Sequence, residues 1–121
     1  LEDLEIRILE SGLKTGLVAE IGSGKPVIAL RADIDALPIL ERTGLPYTSQ
    51  NSGVMHACGH DFHQTSLLGA AELLKAMEGD LRGTVRLIFQ PAEETSQGAS
   101  QVLATGLLDD VSAIIGFHNM P

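Results

Sequence analysis

Cysteine is almost absent: Cys58 is the one thiol among 121 residues. No intrachain disulfide can form from it, so the chain is compatible with a reducing cytoplasm. Basic residues are also scarce, with eight Lys and Arg against sixteen Asp and Glu and a formal net charge of -8. That charge repels phosphate backbones and no local basic patch offsets it, which argues against a nucleic-acid partner. No apolar run approaches the ~20 residues needed to cross a bilayer, and no basic segment followed by an apolar one opens the chain. Neither a membrane nor a secretory role is expected. Position 1 is Leu1 and not Met, so residues are expected to precede it.

What is present suits one globular domain, or a piece of one. Hydrophobic residues make up 44% and charged residues 20%, the balance of a soluble folded chain and not of a disordered tail. Leu4, Ile6, Ile8, Leu9 and Leu13 suggest an amphipathic helix that Gly12 stops. The apolar runs 17–21 and 27–30, separated by Gly22, Ser23, Gly24 and Lys25, read as a β-hairpin with a glycine-rich turn. That turn is too short for a phosphate-binding loop. Residues 36–59 are dense in Pro, Gly, Asn and Ser and predict a long irregular segment, a kind that is often functional. A helix is expected to begin near Asp61, capped by it with Gln64 answering three residues on, and to end near Gly79. A strand over 85–89 ends at Pro91, a short helix covers 97–105, and the run 113–117 reads as a strand buried on both faces. The alternation predicts an α/β fold with a mixed, partly parallel sheet flanked by helices.

The polar residues gather at the ends of these elements. The first strand of the alternation runs into Asp33 and Asp35, the second into Glu93 and Glu94, and the third into His118. Ligands in open α/β sheets bind beyond the carboxyl ends of the strands. A further cluster, His56, Cys58, His60, Asp61 and His63, precedes or opens the predicted helix. Singly, each has a bland reading: a small buried cysteine, a solvated Glu-Glu pair, a strand-end histidine. Together they suggest a metal site, because a thiolate and an imidazole at i and i+2 can reach one ion from one loop.

Four segments carry a resemblance: Leu30-Arg31-Ala32-Asp33-Ile34-Asp35-Ala36-Leu37-Pro38, Met55-His56-Ala57-Cys58-Gly59-His60-Asp61, Phe89-Gln90-Pro91-Ala92-Glu93-Glu94 and Gly116-Phe117-His118-Asn119-Met120-Pro121. In order and spacing they resemble the aminoacylase/carboxypeptidase family of dinuclear metallopeptidases. The nearest branch holds hippurate hydrolase, N-acyl-amino-acid amidohydrolases and indole-acetyl-amino-acid hydrolases. The resemblance implies a zinc-dependent exopeptidase-like catalytic domain, a metal-dependent cleavage of N-acyl amino acids, and two divalent ions, Zn or Mn with Co or Ni as alternatives. It implies Cys58, His60, Glu94 and His118 as metal ligands and Glu93 as the general base toward the attacking water. Asp35 and Asp33 would support the ligands from behind, while His63, His56 and Asp61 are either supporting residues or loop and cap residues. It further implies that residues 1–121 are the N-terminal part of the catalytic domain. A lid domain that dimerises, and a distal histidine completing the metal pair, would lie beyond.

Two rival readings remain at this level. One is a thiol hydrolase with Cys58 as nucleophile and His60 or His118 as base, which leaves Glu93 and Glu94 without a role. The other is a small binding module stabilised by a structural zinc on Cys58, His60 and His118, although such sites are usually richer in cysteine.

Overall fold

The computed structural model describes residues 1–119; Met120 and Pro121, the end of the fourth motif, lie outside the described residues. Five strands form one sheet: β1 (Arg7–Leu9), β2 (Leu17–Gly22), β3 (Val27–Asp33), β4 (Thr84–Gln90) and β5 (Val111–Gly116). Two helices, α1 (His60–Ala76) and α2 (Gly98–Leu103), complete the regular structure beside two short 3-10 turns. The strand order is β1-β2-β4-β3-β5. β1, β2 and β4 pair antiparallel, while β4, β3 and β5 run parallel, so the sheet is mixed as expected.

Strand alternation sorts the core into two layers. On β2, Ala19 and Ile21 face one side and Val18 the other; on β4, Leu87 and Phe89 share the first side and Ile88 the second. α1 lays Leu67 and Ala71 on the first side, and Val102 of α2 covers Val18, Ala29 and Ile88 on the second. Each fully buried Leu or Ile contributes about 1.5–3 kcal/mol. β4, central and covered on both faces, is therefore almost wholly buried.

Several local expectations give way to tertiary pairing. The opening segment is not a helix: a 3-10 turn at Glu2–Leu4 leads into β1, whose Ile8 pairs with Ala19 of β2. The apolar positions there alternate as well as they recur, and an available strand edge decides between the two. β2 and β3 do not form a hairpin, because β4 inserts between them, with Ala19 opposite Leu87 and Leu30 opposite Leu87 from the other side. α1 starts one residue early and is entered from Gly59, which holds the left-handed conformation at φ 81; the Asp61 and Gln64 capping box does not form. The Asp61 side chain instead accepts the N–H of Phe62. β5 is not buried on both faces. It is the sheet edge, and Ile114 and Ile115 are 52% and 60% exposed, because the helices pack mainly over β2, β3 and β4.

Candidate metal centre

The parallel arrangement of β4, β3 and β5 carries their carboxyl ends to one edge of the sheet, where α1 begins. β3 delivers Asp33 at its last position and Asp35 two residues on. The irregular segment then leaves the site and comes back: the main chains of Leu37 and Met55 exchange hydrogen bonds of 2.9 and 3.0 Å. That neck returns the chain so that His60 arrives beside Asp35 and Cys58 beside His60 and Glu94.

The loop after β4 is held from two sides. Asp35 Oδ1 accepts the N–H of Glu93 and Oδ2 the N–H of Glu94, both at 3.1 Å. At its far end the N–H groups of Gln97 and Gly98 both reach Ala92 O, and a side chain at Gly98 would collide with the Pro91 carbonyl. Glycine is required there for α2 to start against the loop.

His60 is fully buried, and its Nδ1–H donates to the main-chain oxygen of Asp35 at 2.9 Å. That bond fixes the tautomer and leaves the Nε2 lone pair pointing inward. Among the described residues Nε2 has no hydrogen-bond partner, although the atom is buried. It faces Glu94 Oε1 at 3.6 Å, Glu93 Oε2 at 3.7 Å and Asp33 Oδ2 at 3.7 Å. Ligand atoms of Cys58, His60 and Glu94 lie within 4.8 Å of one another. His118 falls outside that trio but touches it: its Nε2 is 3.6 Å from Cys58 Sγ and its Nδ1–H donates to Asn119 O at 2.7 Å.

Asp33 and His63 lie behind this group. Asp33, wholly buried, accepts from His63 Nδ1 at 2.6 Å and from Arg31 at 2.7 Å. Burial works to raise the Asp33 carboxyl, but the His63 hydrogen bond and the Arg31 charge outweigh it and hold the group below its ordinary value. Desolvation raises the Cys58 thiol, and Glu94, Glu93 and Asp33 push the same way. Asp33, His60, His63 and His118 also form a compact group. Both ring nitrogens of His63 are nevertheless engaged, by Asp33 and by Asn119.

The donor set fits a divalent cation. A thiol, an inward lone pair on a buried imidazole and a carboxylate converge where little positive charge offsets them, and an unpaired buried Nε2 is costly without a partner. Of the residues singled out from sequence, His56 and Asp61 are not part of the group. Asp61 is exposed, and His56 lines a cavity of about 390 Å³ with Leu45, Tyr47 and Met55. Arg31 and Asn119, which buttress the site, carried no signal by residue type, although both fall inside the recognised motifs.

The pattern of peptidase family M20/M25/M40 matches residues 29–121. N-acetyl-L-cysteine deacetylase of Bacillus subtilis is 57% identical over 123 residues, covering 100% of this chain and 30% of that protein. IAA-amino acid hydrolase ILR1-like 6 of Arabidopsis thaliana is 57% identical over 106 residues, 87% of this chain and 23% of that protein. The crystal structure of Bacillus subtilis YXEP, described as a dinuclear metal binding peptidase from the M20 family, superposes with a TM-score of 0.96 at 58% identity. It is covered over 34% of its length and this chain over 100%. The chain thus spans between 23% and 34% of these relatives. The matched residues run from β3 through the last motif and include every member of the cluster, and the chain belongs to peptidase family M20/M25/M40.

Proposed function

We propose that the protein is a metal-dependent amidohydrolase that cleaves the amide bond of N-acyl amino acids, of the hippurate or N-acetyl-amino-acid type. The observation that carries this reading is the buried, unpartnered Nε2 of His60 facing Glu93 and Glu94. The names of the relatives, a deacetylase of N-acetyl-L-cysteine and a hydrolase of IAA-amino acids, support an acylated amino acid as the substrate class. In this reading residues 1–121 are the N-terminal part of the catalytic domain. Homodimerisation through a lid is a property of the longer protein, which works in the cytoplasm, where Cys58 stays reduced.

Cys58, His60, Glu94 and His118 would hold the metal, Zn²⁺ or Mn²⁺ with Co²⁺ or Ni²⁺ as alternatives, and a pair of ions is proposed by analogy with YXEP. When bound, such a cation polarises the scissile carbonyl and lowers the pKa of a water toward ~7. Glu93 has the complementary task. Its side chain is 36% exposed with Oε2 turned toward the cluster, so it takes the proton of the attacking water on that oxygen and passes it to the leaving amine nitrogen. Asp35 holds the Glu93 and Glu94 main chain, so the base and the ligand cannot exchange places. His60 is kept in the binding tautomer by the Asp35 carbonyl.

The 3.6 Å contact between Cys58 and His118 favours a second reading, a thiol hydrolase. The surrounding carboxylates weigh against it, since they disfavour a free thiolate. Hydrolysis of N-acetyl-cysteine and of hippurate by the full-length protein decides between them. Loss of activity on chelation and recovery with Mn²⁺ or Zn²⁺ is expected; activity that survives chelation but not thiol alkylation would support the cysteine nucleophile instead.

A further inference from the structure

His63 sits one turn into α1, fully buried, with no place in the chemistry above. Its contacts form a chain. Arg31 donates to Asp33 at 2.7 Å, and His63 Nδ1–H donates to the other Asp33 oxygen at 2.6 Å, which leaves His63 Nε2 as an acceptor. The main-chain N–H of Asn119 donates to that Nε2 at 3.1 Å, and the Asn119 side-chain amide lies against the same atom, where only its Nδ2 end can face an acceptor. The carbonyl of Asn119 in turn accepts His118 Nδ1–H at 2.7 Å, so that His118 Nε2 is the nitrogen turned toward Cys58. Gly59 makes room for this arrangement: a Cβ there would overlap the Asn119 amide, and its φ of 81° already excludes most side chains.

From this geometry we propose that His63 is a positioning residue that sets the orientation and tautomer of the His118 imidazole through Asn119, and is not itself a metal ligand. The inference rests on the reading of His118 as a ligand. With neither ring nitrogen free, His63 cannot bind an ion without releasing Asp33 or Asn119. What it supplies is a rigid anchor at the end of an edge strand. β5 is paired on one side only, and beyond it the segment carrying His118 is held by edge-on ring contacts of Phe117 with Phe62 and His63 and of His118 with His63, at 4.6 Å between centroids, as well as by the Asn119 link. Partners that orient a ligating histidine in this way typically change metal affinity or activity by about 10- to 100-fold when removed.

The test is Co²⁺ binding to the full-length protein, followed by titration calorimetry and visible absorption, in His63→Gln, His118→Ala and the double variant. His63→Gln is expected to weaken Co²⁺ binding by about 10- to 100-fold and alter the Co²⁺ spectrum, yet to weaken it less than about 2-fold further once His118 is Ala. Asn119→Pro, which removes the main-chain N–H that donates to His63 Nε2 and leaves the buried Asp33 and His63 pair in place, is expected to change the spectrum in the same direction even where His63→Gln fails to fold. If His118→Ala weakens binding but the His63→Gln effect is absent or simply adds to it, the positioning role is wrong and the ligand assignment stands. An unchanged spectrum in Asn119→Pro also overturns the positioning role. If His118→Ala leaves binding untouched, the ligand assignment fails and this inference falls with it.

Discussion

The Nε2 of His60 and the Oε1 of Glu94 face each other across 3.6 Å with no hydrogen bond between them, and the Nε2 is buried. Each of the two groups would gain from a cation placed between them. In the metal-dependent reading, the residues around this pair should respond to metal in different ways.

Glu93 and Glu94 are adjacent but should fail differently in the full-length protein. Glu93→Gln is expected to keep its metal and lose about 10²- to 10⁴-fold in kcat, since an amide cannot accept the proton. Glu94→Gln is expected to lose metal, with activity partly recovering in excess Mn²⁺ or Zn²⁺. Elemental analysis beside kcat separates the two; metal loss confined to Glu93→Gln would reverse the roles.

Asp35 presents one oxygen to each of the two N–H groups. In Asp35→Asn one oxygen becomes an NH₂ that confronts an N–H, so the Glu93-Glu94 loop must shift. Metal affinity and kcat are both expected to fall, each by about 10- to 100-fold. Unchanged values for both would show that the loop is held by its other end, at Gly98 and Pro91.

Cys58 should be protected from alkylation by bound metal and become reactive after chelation, because an ion ligated by Cys58 would hold the sulfur as a bound thiolate. Cys58→Ser is expected to weaken metal binding more than folding. Mass-spectrometric labelling at equal rates with and without metal would remove Cys58 from the ligand set.

Away from the site, Arg86 is buried between Glu20, at 3.0 Å, and Asp110, at 2.5 Å, and also donates to Leu107 O. Removing one partner of a buried pair typically costs about 3–5 kcal/mol, so Arg86→Ala should lower the denaturant midpoint sharply; Glu20 keeps Arg7, which places the loss toward the lower figure. The Arg86 hydrogen bond holds the Asp110 carboxyl below its ordinary value of 3.8 despite some desolvation. A lowered folded value stabilises fully above pH 3.8 and is lost as pH falls through the folded value. Asp110→Asn should therefore be less stable than the parent at pH 7 and approach it in acid. A stability difference that is constant with pH would contradict this.

The sequence by itself carried the chemistry and the local elements. β-branched and aromatic runs marked β3, β4 and β5, the 3.6-residue period marked α1, and residue types at short spacing marked Cys58 with His60 and Glu93 with Glu94. These are properties of neighbouring residues, so they are written within a few positions of one another. What only the tertiary structure decided concerns partners distant in the chain. β2 and β3 look like a hairpin until β4, more than fifty residues later, takes the place between them. The segment before β2 has the residues of a helix or a strand and becomes β1 because a β2 edge is there to pair with. The roles of the buried Asp33 and His63 and of the exposed Asn119 could not be read from spacing, since their hydrogen bonds span 30 and 56 positions. Burial and pairing are set by what the rest of the chain brings alongside, and no local pattern encodes that.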